Sequence, residues 1–451
     1  MTMGTKETLA RLGVRVPDVL LPVEGVDMGK WAVVACDQYS SERDYWERAA
    51  ISVGSAPSTL NLIFPECYLE DPDKETRVGR IRGTMGDYLA RGLLGPKGPG
   101  FVLVERFTPY EKAPRKGLVM AVDLEKYQYG KDSKSLIRPT EGTIVERLPP
   151  RMEIRRGAPL ELPHIMLLVD DPERGVIEPL YAKRERLPRL YDFDLMLGSG
   201  RIRGWHVRDE ASLAAVAAAL DRLADPAAFR AKHGRDDVLL FAVGDGNHSL
   251  ATAKAIWEET KAKLPSGDPL LESHPARYAL VELVNIYDEG LPFHPIHRAL
   301  FGAGVPFMHE GLSDWHVEHE GEHLASPAEV FARVDAPAEP GIHRIGVVTE
   351  GANICISFRD SPHNLAAGTI QEFLDDRLGK HPEVGIDYIH GAGSLLAIAT
   401  KPGNLGLYLP PIDKSSFFGT VIRNGTMPRK TFSMGEAPEK RFYIEARRIT
   451  A

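Results

Sequence analysis

Cysteine is scarce in this chain of 451 residues, which contains only Cys36, Cys67 and Cys355. The three lie far apart and form no CxxC pair, so the sequence offers neither a disulfide framework nor a four-cysteine zinc site. We therefore expect the protein to work in a reducing compartment, and we predict a cytoplasmic location.

Long apolar runs are missing as well. A helix that crosses a membrane needs roughly 18 to 20 uninterrupted apolar residues, and no stretch of the chain reaches that length. The opening segment, MTMGTKETLARLGVRVPDVLLPVEG, lacks an apolar core followed by a small-residue cleavage site. We expect neither a membrane span nor a secretory signal.

The chain also lacks an excess of positive charge. Lys and Arg number 55 against 63 Asp and Glu, which gives a net charge of −8. The locally basic segments RMEIRRGA and PRKTFSMGEAPEKRFYIEARR are interleaved with acidic or apolar residues, a pattern typical of solvated surface. Because an acidic protein without a basic cluster repels a polyanion, we expect no nucleic-acid partner.

The chain does contain enough apolar residues, 43% of the sequence, to build two or three domains with cores of their own. The sequence contains both strand and helix patterns. FVLVERF and KGLVMAVDLEKY predict a hairpin, and DEASLAAVAAALDRLADP predicts a helix capped by Asp209 and stopped by Pro226. The run GPKGPG predicts a break, and LPFHPIHRAL predicts a passage from strand to helix.

Strands and helices do not alternate regularly along the chain. We therefore predict an α/β or α+β architecture with mixed sheets, and not a standard Rossmann or P-loop fold. We place an α/β core that carries the site over residues 1–300 and a C-terminal α+β portion over residues 301–451.

The most informative stretch is LLFAVGDGNHSLATAKAIWEE, residues 239–259. It runs from an apolar strand through a polar segment into an amphipathic helix. Such a junction presents unpaired backbone N–H groups and the positive end of a helix dipole, and Gly244 and Gly246 allow a ligand oxygen to approach the backbone. Asp245 is suited to orient a metal ion or accept a proton, and His248 to donate to a phosphate or act as acid or base.

A capping loop is the alternative interpretation, because Asp, Asn and Ser cap helices without any ligand. The segment also lacks the glycines and lysine of a Walker loop and the GxGxxG dinucleotide fingerprint. The stretch alone therefore leaves a phosphate site and a helix cap equally open.

VGDGNHSLATAK resembles the DGHHRYETA-like signature of a bacterial and archaeal family called domain of unknown function 1015. Four further blocks resemble that family in the same order, between residue 31 and about residue 432: VVACDQYSSERDYWERA with NLIFPE, IRPTEGT with ERLPPRMEIRRGA, DEGLPFHPIHRAL, and NGTMPRKTF. The signature is in turn similar to the phosphate-binding box of the ParB/sulfiredoxin fold, whose relatives include free serine kinases. The resemblance implies a ParB/sulfiredoxin-like element around residues 237–264 and phosphoryl chemistry on serine or phosphoserine.

This chain departs from the family signature at two positions. Asn247 stands where the signature has its second His, and Ser249 stands where it has an Arg. The loss of a guanidinium removes a permanently charged, bidentate partner for phosphate. Either Arg298 or another base replaces it, or the activity of the family is altered in this chain.

HPIHR, residues 294–298, is a second candidate constellation. His294 and His297 lie about one helical turn apart, a spacing that permits a divalent-metal site together with Asp245 and His248. A phosphate pocket in which His297 and Arg298 donate to the anion is the competing functional interpretation. The structural alternative is a His pair with its hydrogen bonds satisfied at a strand end.

IRPTEGT and CDQYS supply further candidates. Glu141 is suited to be a general base or Mg²⁺ ligand, with Arg138 or Arg147 countering phosphate charge. Alternatively Glu141 caps a helix whose first turn is GTIVER. Asp37, which follows a predicted strand, is placed either for a site or for the start of the next helix.

The leading hypothesis is an enzyme of phosphoryl transfer or phosphate-ester hydrolysis on a small serine- or phosphoserine-like metabolite, with Mg²⁺ and a nucleotide as candidate cofactors. The alternative is a non-catalytic regulatory module that binds a nucleotide or metabolite, and a DNA-binding partition role is disfavoured by the acidic charge. The sequence leaves the oligomeric state open. The candidate catalytic residues are Asp245, His248, Glu141 and His297, and the candidate ligand-binding residues are Gly244, Gly246, Asn247, Ser249, Arg298, Arg138, Arg147 and Asp37.

Overall fold

The computed structural model describes residues 1–130, 132–428 and 430–450. The strands are β1 (Val14–Arg15), β2 (Asp18–Pro22), β3 (Val33–Val34), β4 (Leu94–Pro99), β5 (Phe101–Phe107), β6 (Arg115–Asp123), β7 (Ile137–Pro139), β8 (Leu160–Glu161), β9 (Met166–Val169), β10 (Arg189–Asp194), β11 (Arg201–Val207), β12 (Phe241–Asp245), β13 (Tyr278–Asn285), β14 (His294–Phe301), β15 (His319–His323), β16 (Ile342–Val348), β17 (Asn353–Arg359), β18 (Gly385–His390), β19 (Asn404–Tyr408), β20 (Phe432–Ser433), β21 (Phe442–Tyr443) and β22 (Arg447–Arg448). The α-helices are α1 (Met3–Arg11), α2 (Met28–Trp31), α3 (Arg43–Val53), α4 (Lys74–Ala90), α5 (Leu148–Arg155), α6 (Glu178–Ala182), α7 (Glu210–Leu223), α8 (Pro226–His233), α9 (Asn247–Lys261), α10 (Leu270–Ser273), α11 (Val305–Ser313), α12 (Pro327–Asp335), α13 (Ala366–Lys380), α14 (Ala392–Ala399) and α15 (Lys414–Asn424).

The chain divides into two compact units. The first unit combines Met1–Leu291 with Glu436–Ala451, and the second unit is Pro292–Gly435. The first unit is therefore built from two stretches that are separated in sequence by the whole of the second. The domain boundary that the sequence analysis places after residue 300 stays a prediction.

The first unit contains a large mixed sheet with the strand order β10-β11-β5-β6-β13-β9-β12-β7, and β1 pairs with β6 outside this path. The pairs β13–β9 and β12–β7 are parallel, and the others are antiparallel. All nine residues of β6 are buried, as expected for a central strand covered on both faces. The predicted α/β class with mixed sheets is thereby confirmed.

Two local predictions concern a helix cap and a break between elements. The helix capped by Asp209 is α7, and the Asp209 carboxylate accepts the N–H of Ser212 at 2.9 Å, as predicted. GPKGPG lies between α4 and β5 and so separates the helix from the strand FVLVERF, but its residues 95–99 also belong to β4, which pairs with β2 in a two-stranded ribbon. Proline is tolerated there because an edge position does not require its missing N–H.

The C-terminal stretch is held inside the first unit. β21 pairs with β3, with Phe442 opposite Val34, and both strands share an apolar cluster with Trp46 of α3. This packing brings the segment that follows Glu436 close to the loop that follows β3.

The second unit carries an antiparallel sheet with the order β15-β17-β16-β19-β14-β18, and β20 pairs with β14. The predicted strand-to-helix passage at LPFHPIHRAL is wrong, because His294–Phe301 is one continuous strand paired on both sides. Residues three apart in a strand point to opposite faces. His294 and His297 therefore do not share the face that a helical turn would have given them.

Across the described ranges, none of the helices combines the length and the apolar character that a membrane crossing requires.

Candidate functional site

The polar segment GDGNHS lies at the junction of β12 and α9, as the sequence predicts. β12 ends at Asp245, Gly246 is the N-cap, and α9 begins at Asn247. Gly246 has φ +78°, and a Cβ on it would lie 3.0 Å from the Cα of Ile165, so both conformation and space require glycine. Gly246 has no side chain with which to cap α9, so the usual N-cap hydrogen bond to the first N–H groups of the helix is not made, and the positive end of the helix dipole lies at this junction.

The Asp245 carboxylate is fixed on two sides. One oxygen accepts the N–H of Gly246 at 2.9 Å, and the other lies 3.1 Å from the Lys440 ammonium. Burial alone would raise the pKa of Asp245, but Lys440 and His164 outweigh it and hold the pKa below the usual value. Asp245 is therefore an anion with a matched cation beside it.

Asn247 has a structural contact. Its side-chain oxygen accepts the N–H of Thr140 at 3.3 Å, and its amide nitrogen lies 3.5 Å from the carbonyl oxygen of Val243. The Thr140 hydroxyl donates to the same carbonyl at 2.6 Å. Asn247 thus ties the exit of β7 to the start of α9, while Ser249 is half-exposed on the first turn of the helix.

His248 is a neutral imidazole. Burial lowers its pKa, and Arg151 and Arg147 lower it further, whereas Asp37 acts in the opposite direction. Its Nε2 accepts the N–H of Ile144 at 3.4 Å, so the proton of the neutral ring is on Nδ1. His248 therefore offers a donor and not a positive charge.

The arginines within α5 and at its two ends differ in their partners. Arg151 pairs with Glu66, Arg155 with Glu161, and Arg156 with Glu259. Arg147 is exposed and, within the described chain, has no carboxylate within salt-bridge distance. Because it also lowers the pKa of His248, its charge acts at the start of α9.

The predicted helix cap at Glu141 is wrong. Residues 141–144 are not helical, and α5 begins at Leu148 after a short 3-10 turn, Val145–Arg147. Glu141 is exposed and follows Thr140, whose N–H is bound to Asn247. Its predicted part in catalysis or metal binding stays a prediction.

Asp37 faces His164, a residue that the sequence analysis missed. The carboxylate lies 3.6 Å from Nε2 of His164, and Nδ1 of the same ring lies 2.7 Å from the Tyr443 hydroxyl. Asp37 does not start the next helix, because α3 begins at Arg43 with Glu42 as its N-cap. Asp37 lies beside His164, and His164 in turn contributes to the lowered pKa of Asp245, so the loop after β3 and the β12–α9 junction form one polar cluster.

Arg138 is engaged elsewhere in the first unit. Its guanidinium donates to the carbonyl oxygens of Ser135 and Asp237 and lies 3.1 Å from the Asp237 carboxylate. Asp237 precedes β12, whereas α9 starts at the other end of that strand. The structure therefore does not bring this guanidinium to the junction.

His297 and Arg298 belong to the second unit, and each has contacts there. Nδ1 of His297 accepts the N–H of Leu409 at 3.1 Å, and burial, with Arg298 and His390, lowers the pKa of His297 to about 4. Arg298 is fully buried, and its guanidinium lies 3.3 Å from the Gln371 side-chain oxygen. His297 matches the structural interpretation of a satisfied imidazole, and the predicted roles of both residues at the phosphate stay predictions.

Five residues of the cluster were not singled out from the sequence: Glu66, Arg151, His164, Lys440 and Tyr443. Lys440 and Tyr443 lie in the basic tail that we interpreted as solvated surface, and His164 directly precedes the apolar strand β9. Only the pattern of a histidine before a buried strand was visible locally. In the part of the chain that is described, no group of three or more His, Cys, Asp or Glu forms a ready metal site.

The family model described as "Protein of unknown function (DUF1015)" matches residues 20–376. Similar solved structures include a conserved hypothetical protein from Pyrococcus furiosus, with 12% identity, a TM-score of 0.35, and coverage of 74% of this chain and 95% of that one. A free serine kinase variant in complex with AMP has 10% identity, a TM-score of 0.36, and coverage of 74% of this chain and 91% of that one. SbnI with a C-terminal truncation from Staphylococcus aureus has 10% identity, a TM-score of 0.33, and coverage of 72% and 82%.

The search of curated proteins gave no match. The family match extends over well more than half of the chain and includes the β12–α9 junction and the loop after β3. The chain therefore belongs to the DUF1015 family.

Proposed function

We propose that the first unit binds a phosphate group of a small metabolite at the start of α9 and catalyses phosphoryl transfer or phosphate-ester hydrolysis. The observation that carries the proposal is the pairing of an uncapped helix N-terminus with a nearby arginine, Arg147, that lacks a carboxylate partner. A helix N-terminus attracts anions through its free N–H groups and its dipole. An unneutralised guanidinium adds the bidentate charge that phosphate requires.

The charge balance of the cluster supports an anionic ligand. Lys440 is neutralised by Asp245 and Arg151 by Glu66, so these cations have little charge to spare. Of the cations discussed here, all of them in the described part of the chain, Arg147 keeps its charge available for a ligand. Arg147 would supply the positive charge that is missing at Ser249, where the family signature has an arginine.

Two carboxylates, those of Asp37 and Asp245, are the candidate catalytic groups. Asp37 and Asp245 both lie near His164, and either is suited to accept the proton of an attacking hydroxyl. Mg²⁺ is commonly bound by one or two carboxylates together with substrate phosphates, so these two aspartates would suffice to hold it. A bound Mg²⁺ would neutralise charge on the transferring phosphoryl group. A serine hydroxyl or phosphoserine fits the substrate class that the family resemblance implies.

Binding is tested by calorimetry with inorganic phosphate, phosphoserine and ADP, each with and without Mg²⁺. We expect Arg147→Met to weaken phosphate binding about tenfold, as a lost charge-assisted hydrogen bond at an exposed site would. Arg156→Met is the matched control, because Arg156 directly follows α5 and pairs with Glu259. Equal binding by wild type, Arg147→Met and Arg156→Met would contradict the proposed phosphate site.

Catalysis is tested with the same protein. Serine with ATP and Mg²⁺ should yield phosphoserine and ADP if the enzyme is a kinase, and phosphoserine alone should release phosphate if it is a hydrolase. Asp245→Asn should abolish turnover while the circular dichroism spectrum stays that of the wild type. Phosphate or nucleotide binding without any turnover would instead identify a regulatory binding module.

A further inference from the structure

The ion pair of Glu66 and Arg151 lies beside the polar cluster at the start of α9. The Arg151 guanidinium donates to the carbonyl oxygen of Arg147 at 2.8 Å and forms an ion pair with the Glu66 carboxylate. The backbone N–H of Glu66 in turn donates to the carbonyl oxygen of Cys36 at 2.8 Å. The pair therefore links the turn that carries Arg147 to the loop after β3.

The charge of Arg151 reaches the start of α9. α5 packs against α9, and after burial it is Arg151 that lowers the pKa of His248 most, ahead of Arg147. The side chains of Glu66 and Arg151 are each only 19% exposed, so solvent screens their charges incompletely. An unpaired Arg151 would therefore attract an anion at the proposed phosphate site, as Arg147 does.

Glu66 cancels that attraction. A neutral side chain at position 66 would leave two charged guanidinium groups, those of Arg147 and Arg151, one helical turn apart beside the site. The carboxylate neutralises one of them, although a negative charge beside an anion site opposes binding of the ligand. A repulsive group of this kind is a common means by which a binding site excludes a competing ligand.

The other charges beside the site leave little to offset a highly charged ligand. Lys440 is paired with Asp245, His248 is neutral, and Asp37 adds a further carboxylate. A helix N-terminus contributes about half a positive charge. A phosphomonoester carries about −1.5 to −2 charge near pH 7, and a diphosphate carries more. Arg147 with the helix N-terminus is thus matched to one phosphate group and not to two.

We propose that Glu66 is a specificity-determining residue: by neutralising Arg151 it restricts the site to ligands with a single phosphate group, such as a phosphomonoester, and disfavours diphosphates. The inference rests on the proposed function for the phosphate site itself. Glu66 acts through Arg151 and makes no contact with the ligand.

The selectivity of the wild type is measured first. Calorimetry compares inorganic phosphate with pyrophosphate, both in the presence of EDTA so that no divalent cation bridges the ligand to the carboxylates. We expect the wild type to bind phosphate at least as tightly as pyrophosphate. Tighter binding of pyrophosphate by the wild type would overturn the inference.

A cycle of three variants measures the role of Glu66. Glu66→Gln keeps the size of the side chain and frees the charge of Arg151, so it should tighten binding of pyrophosphate about tenfold and of phosphate about threefold. Arg151→Met leaves the carboxylate unpaired and should weaken binding of both, pyrophosphate more. The double variant should return close to the wild type, because both charges are gone. A pair with only a structural role would give losses in all three.

Glu259→Gln is the matched control. It changes the net charge by the same amount and frees Arg156, but Glu259 lies in the last turn of α9, away from the site. We expect binding of both anions to stay at the wild-type level. Equal tightening in Glu259→Gln and Glu66→Gln would show an effect of net charge alone and would overturn the inference.

The outcomes separate this inference from the proposed function. A folded Glu66→Gln protein, verified by circular dichroism, that binds pyrophosphate no tighter than the wild type overturns the specificity role and leaves the phosphate site standing. If Glu66→Gln does not fold, Arg151→Met decides, and equal losses for phosphate and pyrophosphate overturn the role. A wild-type protein that binds neither phosphate nor phosphoserine overturns the proposed function and this inference together.

Discussion

Replacement of Lys440 by methionine tests how the site is held together. The Lys440 ammonium lies 3.1 Å from the Asp245 carboxylate, and the two side chains are only 14% and 25% exposed. Exposed ion pairs contribute about 0.2–1 kcal/mol, whereas removing one partner of a fully buried pair costs about 3–5 kcal/mol. For this partly buried pair we expect the first unit to lose about 1–2 kcal/mol of unfolding free energy.

Lys440→Met should also change the direction in which folding shifts the pKa of Asp245. In the wild type its pKa lies below that of the unfolded chain, so ionised Asp245 stabilises the fold above the unfolded pKa, and this contribution disappears as pH falls through the folded pKa. In Lys440→Met burial dominates and the folded pKa rises, so ionisation opposes folding at neutral pH. The variant should therefore lose less stability on acidification than the wild type.

The measurement is hydrogen exchange of first-unit peptides in increasing urea, at neutral pH and at pH 4, because the chain has two compact units. Lys254→Met is the matched control: Lys254 is also 14% exposed, but its partner Glu258 on α9 is 48% exposed, so the loss should be about 0.3–0.5 kcal/mol. A Lys440→Met protein that loses no more than this control and keeps the wild-type pH dependence would refute the reasoning.

Two further substitutions test one residue in each unit, Gly246 in the first and His297 in the second. Gly246→Ala should cost about 1–3 kcal/mol of unfolding free energy, because the left-handed backbone and the Cα of Ile165 at 3.0 Å both oppose a Cβ. Gly86→Ala is the control: Gly86 lies in α4 with open space around it, so this change should be neutral or stabilising. Urea denaturation measures both variants, and equal effects would contradict the steric argument. In the second unit the pKa of His297 is lowered to about 4. The neutral ring therefore contributes its full stabilisation of the fold above the unfolded pKa of about 6.5. This stabilisation is lost as pH falls toward 4, which lowers the unfolding free energy by up to about 3 kcal/mol. His297→Gln should remove that pH dependence from the urea denaturation of the second unit, and an unchanged slope between pH 4 and 6.5 would count against it.

The parts of the fold that depend on neighbouring residues were predictable. The hairpin of β5 and β6, the helix capped by Asp209 and the junction at Gly246 all follow from short-range patterns of apolar residues, caps and turns. HPIHR was misinterpreted because a short apolar segment with a proline fits both a strand edge and a helix start. Pairing with β18 and β19 decides the matter, and those strands lie about a hundred residues further along the chain.

The candidate site was predictable only where its residues share one segment. Asp245 and His248 stand out because they flank a helix start, whereas His164 and Lys440 have no local signal of chemistry. Lys440 resembles any surface lysine until β21 pairs with β3 and brings it to Asp245. Long-range strand pairing, which no periodicity in the sequence reveals, supplies the rest of the cluster.

The division of the first unit into two stretches has a consequence for synthesis of the protein. A nascent chain that has emerged as far as residue 435 already contains Asp245, His164 and the whole second unit, but neither Lys440 nor Tyr443. Until β21 is translated and pairs with β3, Asp245 has no cation and His164 has no partner at Nδ1. Translation order thus makes the proposed phosphate site one of the last features to mature, so a prematurely terminated chain would carry the start of α9 without Lys440 and Tyr443.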